Sequence, residues 1–450
     1  MFQIWGDVEM KNNITLWSIT KLAGPAVVFQ SIIMLVGLID LAFVGRLPHA
    51  TFAIAAVTIA NNICVGVYSF LEGIRTGTTV LTARFWGAHQ SKNISQIIKL
   101  ALIYALILGT ILLFFMPSLI KFLYGFTRNN IVESLGYSYL SIRIIALPFL
   151  LTFFAITGFF SGLKSTTAPM IITLIIGGLN ALFNYLFLHS SYTFLHGISG
   201  IAYATLLAYI IGSIISIIVL FFTPITKQFL HITSSVKPIL KEYTKLGVEI
   251  GLYFGIVVVA MFLFSLMFFH LGEQTIAAHQ IVLQVFMASY LASMGFFIAT
   301  TIVIGKILGA SDFKQVTYAV KKLCRFALSV ALVPSLLILV FAHQIAHFFS
   351  PQDPVVAAMI VKPLYAACAA LIFSALFSVL RGVLTATKDT KFIAIAGIIT
   401  SYFVFLPLSY LLGITLGYGV FGGYIAFTVW FIGDTLIYSY RFFIQKSWGK

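Results

Sequence analysis

Apolar residues run almost unbroken through this chain, and the polar breaks between runs set its elements. Runs fall at 16–44, 52–83, 94–116, 134–161, 168–188, 198–222, 246–270, 275–305, 317–342, 355–380, 392–413 and 419–444. A helix needs about 20 apolar residues to cross a bilayer, so the pattern predicts twelve transmembrane α-helices. No series of short alternating segments, the mark of a membrane β-barrel, is visible. The longest polar break, 223–245, separates two groups of six. The predicted domains are an N-lobe (1–222), a cytoplasmic linker (223–245) and a C-lobe (246–450).

Composition strengthens this reading. Of all residues, 60% are hydrophobic and only 9% charged, against about 25% charged in soluble domains. A polytopic, all-α integral membrane protein follows. The formal net charge of +15 would suit nucleic acid, but the positions of the charges argue otherwise. With a cytoplasmic N-terminus, 21 of the 27 Lys and Arg fall on the inner side. Only Arg46, Lys121, Arg128 and Lys362 fall outside, and Arg75 and Arg143 lie within spans. This asymmetry follows the positive-inside rule, with both termini cytoplasmic. The positive charge then faces anionic lipid, not nucleic acid. Residues 1–15 are polar and show no cleavable signal. Cys64, Cys324 and Cys368 have no metal or redox spacing and read as packing residues.

The chain also repeats. At an offset of 222, residues 51–90 match 273–312 at Ile54/Ile276, Ala55/Ala277, Ala56/Ala278, Ile59/Ile281, Tyr68/Tyr290, Gly73/Gly295, Thr78/Thr300, Thr79/Thr301, Gly87/Gly309 and Ala88/Ala310. Thr20–Lys21–Leu22 recurs as Thr244–Lys245–Leu246, and Gly162 pairs with Gly382. Each unit has an even number of spans, so both halves keep the same orientation. That is the parallel-repeat arrangement of one class of secondary transporter.

Asp40 is the candidate for chemistry. It is the only charged residue between Lys21 and Arg46, inside the first span. An Asp at the centre of a spanning helix costs about 2.5–3.5 kcal/mol, and such residues usually mark an ion or substrate path. The plain alternative is an interfacial carboxylate that neutralises Arg46. In the fifth span Asn180 and Asn184 are one helical turn apart and share a face; their plain reading is interhelical hydrogen bonding.

Several stretches together resemble the multidrug and toxic compound extrusion (MATE) family: Gly37–Leu47 (GLIDLAFVGRL), Ala53–Val57 (AIAAV), Gly87–Gln90 (GAHQ), Ala277–Val285 (AAHQIVLQV) and Leu308–Ser311 (LGAS). The Asp-bearing first helix points to the DinF-like branch. The resemblance covers nearly the whole chain. It implies a V-shaped pair of bundles and export of organic, often cationic compounds driven by H⁺ or Na⁺ entry. By the same resemblance Asp40 matches the coupling carboxylate and Asn180 its polar partner. Thr205, in a GxAxAT pattern at 200–205, matches a further oxygen donor. Some relatives carry Asp where this chain has Asn184. The missing carboxylate favours H⁺ over Na⁺. Relatives suggest a monomer in the plasma membrane, and no cofactor is expected beyond the coupling ion.

Weaker candidates are Tyr68 and Tyr203 as cavity aromatics, Glu72, Glu249 and Asp434. Glu72 is three residues from Arg75, and the two are expected to neutralise each other. Glu249 lies early in the seventh span, near the cytoplasmic surface. Asp434 lies two turns before Arg441 in the last span. His343 and His347 share a helix face without a third ligand. The GxGxxG match at 417–422 follows a helix rather than a strand, so tight packing explains it better than a dinucleotide. A flippase for lipid-linked precursors is the competing function and calls for a more cationic cavity. A membrane-embedded lipid enzyme is remoter, because no HExxH, GxSxG or Walker A motif is present.

Overall fold

The computed structural model describes residues 15–47, 50–125, 129–190, 197–232 and 235–445. Lys11, Arg128, Lys446 and Lys450 of the charge count lie outside these. The described chain is helical and contains no strand. Twelve helices are long and apolar enough to span a membrane: α1 Leu16–Val44, α2 Ala50–Gly87, α3 Ser91–Tyr124, α4 Asn130–Gly162, α5 Thr167–Leu188, α6 Gly197–Phe222, α7 Lys237–Phe269, α8 Glu273–Gly309, α9 Phe313–Phe349, α10 Pro354–Ala386, α11 Thr390–Thr415 and α12 Gly419–Ile444.

The helices match the apolar runs in number and order, but several are longer. α3 continues through Pro117 to Tyr124. α7 starts at Lys237, well before the expected 246. A short helix, Pro224–Leu230, precedes it. Polar residues at the end of a spanning helix remain helical because water or headgroups solvate them, so hydropathy alone stops short of the helix end.

Contacts group the chain into two compact units. One is Val28–Gly251; the other joins the described residues up to Val27 to Leu252–Lys450. α1 and α7 are therefore each divided, and each unit includes the leading turns of the other repeat's first helix. Small residues allow this. In the first unit, a Cβ on Gly73 would overlap the Gly247 carbonyl oxygen, and one on Gly251 would overlap that of Phe70. In the second, Gly295 makes the matching approach to α1, where a Cβ would lie 2.9 Å from the Ala23 carbonyl oxygen.

Within each unit the fourth helix of the repeat is the hub. α4 packs on α2, α3 and α6; α10 packs on α8, α9 and α12. Both hubs begin with a side-chain cap. Asn129 accepts hydrogen bonds from the backbone N–H groups of Ile131 and Val132, and Asp353 from those of Val355 and Val356. Such a cap satisfies donors that the helix leaves open. The caps, chiefly the Val356 N–H, hold the Asp353 carboxyl below the usual range. The repeat-related Thr79 and Thr301 hydroxyls donate to glycine carbonyls of the hubs, Gly158 at 3.1 Å and Gly382 at 3.4 Å.

The hub α4 is not straight. A 3₁₀ turn at Ile144–Ala146 interrupts it directly after Arg143. Pro148 explains the break, since its ring clashes with the carbonyl four residues earlier. In α11, π-helical turns at Ile399–Phe405 and Leu411–Thr415 flank Pro407; α9, which contains Pro334, is kinked at Phe341, whereas Pro25 lies inside the α1 helix.

The glycine contacts give a direct test. Gly73→Ala is expected to lower stability by at least the roughly 1–3 kcal/mol of an overpacked core, read as a fall in the thermal unfolding midpoint. Gly66→Ala on the same helix, where a Cβ meets nothing within 4 Å, is expected to be neutral or slightly stabilising. Equal losses at both positions would refute the close-approach account.

Candidate functional site

Asp40 is fully buried, and both its oxygens are surrounded by donors. Oδ1 accepts from the Asn180 and Asn184 side-chain amides at 3.0 and 2.9 Å. Oδ2 accepts from the Thr205 hydroxyl at 2.8 Å, the Tyr139 hydroxyl at 3.1 Å and Arg143 Nη1 at 3.1 Å. These donors come from α4, α5 and α6, so four helices of one unit meet at a single carboxylate.

Helical spacing produces the arrangement. Tyr139 and Arg143 are four apart on α4, as are Asn180 and Asn184 on α5, and i,i+4 positions lie on one face. The Asn180 amide also donates to Thr205 at 3.0 Å, and the Asn184 amide to Asn180 Oδ1 at 3.4 Å. Arg143 Nη1 donates to the Tyr139 hydroxyl at 2.6 Å and to Asn61 Oδ1 at 3.3 Å. Two atoms in this network lack a hydrogen-bond partner: Arg143 Nε and Asn184 Oδ1.

The structure thus brings together Asp40, Asn180, Asn184 and Thr205. It replaces the Arg46 alternative. Arg46 lies over the Phe43 ring, 5.2 Å from its centroid, and the cation paired with Asp40 is Arg143 at 3.1 Å. Sequence reasoning placed Arg143 within a span but did not pair it. The available signal was the need of a buried carboxylate for a counter-charge, with Arg143 the one cation in the fourth span.

The weaker candidates divide. Tyr68, half-buried, lines a narrow cavity with Arg143, Cys64, Met116 and Leu140. Tyr203 is half-buried on α6, two residues from Thr205. Glu72 pairs with Arg75, which donates from Nε at 2.7 Å, and that guanidinium also lies over Phe29. Glu249 lies 4.0 Å from the exposed Lys245. Asp434 belongs to the other unit. It is buried, and Thr400 and Arg381 are the polar groups near it. Arg381 is enclosed by the rings of Phe297, Phe377, Phe254 and Tyr253, with Phe297 at 4.2 Å. Among the described residues no group of three His, Cys, Asp or Glu side chains could hold a metal ion.

Removing one partner of a buried ion pair costs about 3–5 kcal/mol, because the other charge is left uncompensated. Arg143→Leu is therefore expected to lower the thermal midpoint strongly. Adding Asp40→Asn should recover much of that loss, since the neutral amide needs no counter-charge. Additive losses in the double variant would show that the two side chains are not energetically coupled.

Comparison with known proteins places the chain in a family. The chain is 26% identical over 411 residues to a probable multidrug resistance protein NorM of Bacillus cereus (strain ATCC 10987 / NRS 248), covering 88% of each protein. It is 25% identical over 410 residues to the protein of the same name in Bacillus subtilis (strain 168), covering 89% of each. A MATE structure in the bent conformation superposes with a TM-score of 0.87 at 22% identity, over 96% of this chain and 97% of that one. A transporter of the MOP superfamily from Pyrococcus furiosus, described as having a binding pocket of reverse polarity, gives 0.87 at 20% identity over 96% of both. The MatE family model matches twice, at residues 25–186 and 250–411, once in each half. Those two matches take in most of the twelve-helix chain, which belongs to the MatE family of multi-pass membrane transporters.

Proposed function

We propose that this protein is a cation-coupled antiporter that exports organic, amphipathic and often cationic compounds by alternating access, with H⁺ preferred to Na⁺ as the coupling ion. It would act in the plasma membrane with both termini cytoplasmic. The relatives named as multidrug resistance proteins support the substrate class. The observation that carries the coupling is a buried carboxylate, Asp40, on which donors from three other helices converge.

The chemistry is direct. Ionised Asp40 accepts from five side chains. A proton turns one of its oxygens into a donor and removes the charge that holds Arg143. At least one surrounding donor then loses its acceptor, and α1, α4, α5 and α6 must find a new arrangement. A ligand that favours one of two arrangements shifts the equilibrium between them, and two ligands that do so are coupled. A cationic compound reaching the carboxylate would compete both with the proton and with Arg143. A flippase would call for free positive charge, yet in this unit Arg75 and Arg143 are each paired with a carboxylate.

Efflux of ethidium from everted vesicles under an imposed pH gradient, with and without Na⁺, tests this. The wild type is expected to transport when the proton gradient is imposed. Asp40→Asn at equal expression should fall to the level of vesicles lacking the protein. Full transport by Asp40→Asn would remove Asp40 from the coupling role. No transport under either gradient would turn attention to lipid-linked substrates.

A further inference from the structure

The surroundings of Arg143 are those of a bound cation. Its Nη1 has oxygens from three helices about it: Asp40 Oδ2 at 3.1 Å, Asn61 Oδ1 at 3.3 Å and the Tyr139 hydroxyl at 2.6 Å. Thr205 Oγ1 lies against the same carboxylate oxygen. Asn184 Oδ1, buried one helical turn from Asn180, accepts no hydrogen bond. These are the carboxylate, amide and hydroxyl oxygens that hard cations bind. We propose that Arg143 is a tethered cation that fills the Asp40 site and excludes alkali-metal ions from it, so that Na⁺ can bind there only when the guanidinium is absent.

Charge and geometry give the reason. Among the described residues Asp40 is the only acid within hydrogen-bond distance of Arg143, so the pair has no net charge to attract a second cation. The other four groups on the carboxylate present N–H or O–H toward it and occupy the acceptor positions a second cation would need. Replacing Arg143 by a neutral side chain leaves the carboxylate charge unmatched. The Asn61 and Tyr139 oxygens also lose the donor they now face. An ion that enters would replace Nη1 among the oxygens it now contacts. A proton differs, because it binds the carboxylate oxygen covalently and needs no cage. This inference rests on the coupling role proposed for Asp40, but it is tested by binding and not by transport.

The experiment uses the full-length protein purified in detergent. Thermal unfolding is followed against NaCl, with choline chloride keeping ionic strength constant, and ²²Na⁺ binding is measured in parallel. The wild type is expected to give no Na⁺-specific shift and no Asp40-dependent ²²Na⁺ binding. Arg143→Gln is expected to gain a saturable, Na⁺-specific rise in unfolding temperature together with ²²Na⁺ binding. Arg143→Gln combined with Asp40→Asn should lose both. An Asp40-dependent Na⁺ response in the wild type overturns the proposal, and that arm stands whether or not the variant folds. A folded Arg143→Gln protein that ignores Na⁺ overturns it as well. Neither readout requires export, so a protein that moves no drug still reports on Arg143, and failed efflux counts against the transport reading alone.

Discussion

The buried ion pair between Asp40 and Arg143 governs the architecture of its unit. Neither charge could remain in an apolar interior by itself, because an unpaired buried charge is strongly destabilising. Together they fix the position of α1 against α4, and the asparagines of α5 and the threonine of α6 are oriented by the same carboxylate. Pairs of this kind are seldom the most stable solution, since an apolar replacement often does as well. The pair is therefore weak evidence for stability, and the coupling role proposed for Asp40 would give it a purpose.

The two repeats have diverged most where chemistry is placed. Tyr68/Tyr290, Thr79/Thr301, Gly73/Gly295 and the capped hubs α4 and α10 are shared. The ionic groups are not. In the first unit the acid lies on α1 and the arginine on α4. In the second, the acid lies on α12 and the arginine on α10, without a direct ion pair. Packing positions preserve the symmetry of the repeat, because Gly73 and Gly295 each admit the backbone of a neighbouring helix. Ionic positions are free of that constraint.

Much of the fold was legible in the sequence. Twelve apolar runs became twelve helices, because length and hydropathy decide whether a helix spans a bilayer. The convergence of Asp40, Asn180, Asn184 and Thr205 was anticipated from a family resemblance rather than from physics. Arg143 and Tyr139 were missed, since the pairing depends on how α4 is rotated against α1, and linear order does not contain that. Helix ends such as Lys237 were missed for another reason: hydropathy reports the bilayer and not the backbone hydrogen bonds. The division of α1 and α7 between the units is likewise a tertiary fact. Its trace in the sequence was only a set of glycines whose neighbours could not be named.

The burial of α4 bears on how the chain is made. Of its most apolar window 83% is buried inside the protein, against 22% for α1, so α4 belongs among other helices and not in lipid. An Arg or Asp carried alone on a newly inserted helix costs about 2.5–3.5 kcal/mol at the bilayer centre. α1 emerges first with its acid unmatched, and the matching base follows only with α4, about a hundred residues later. The charge is matched when the fourth helix arrives, and the remaining donors to Asp40 follow on α5 and α6.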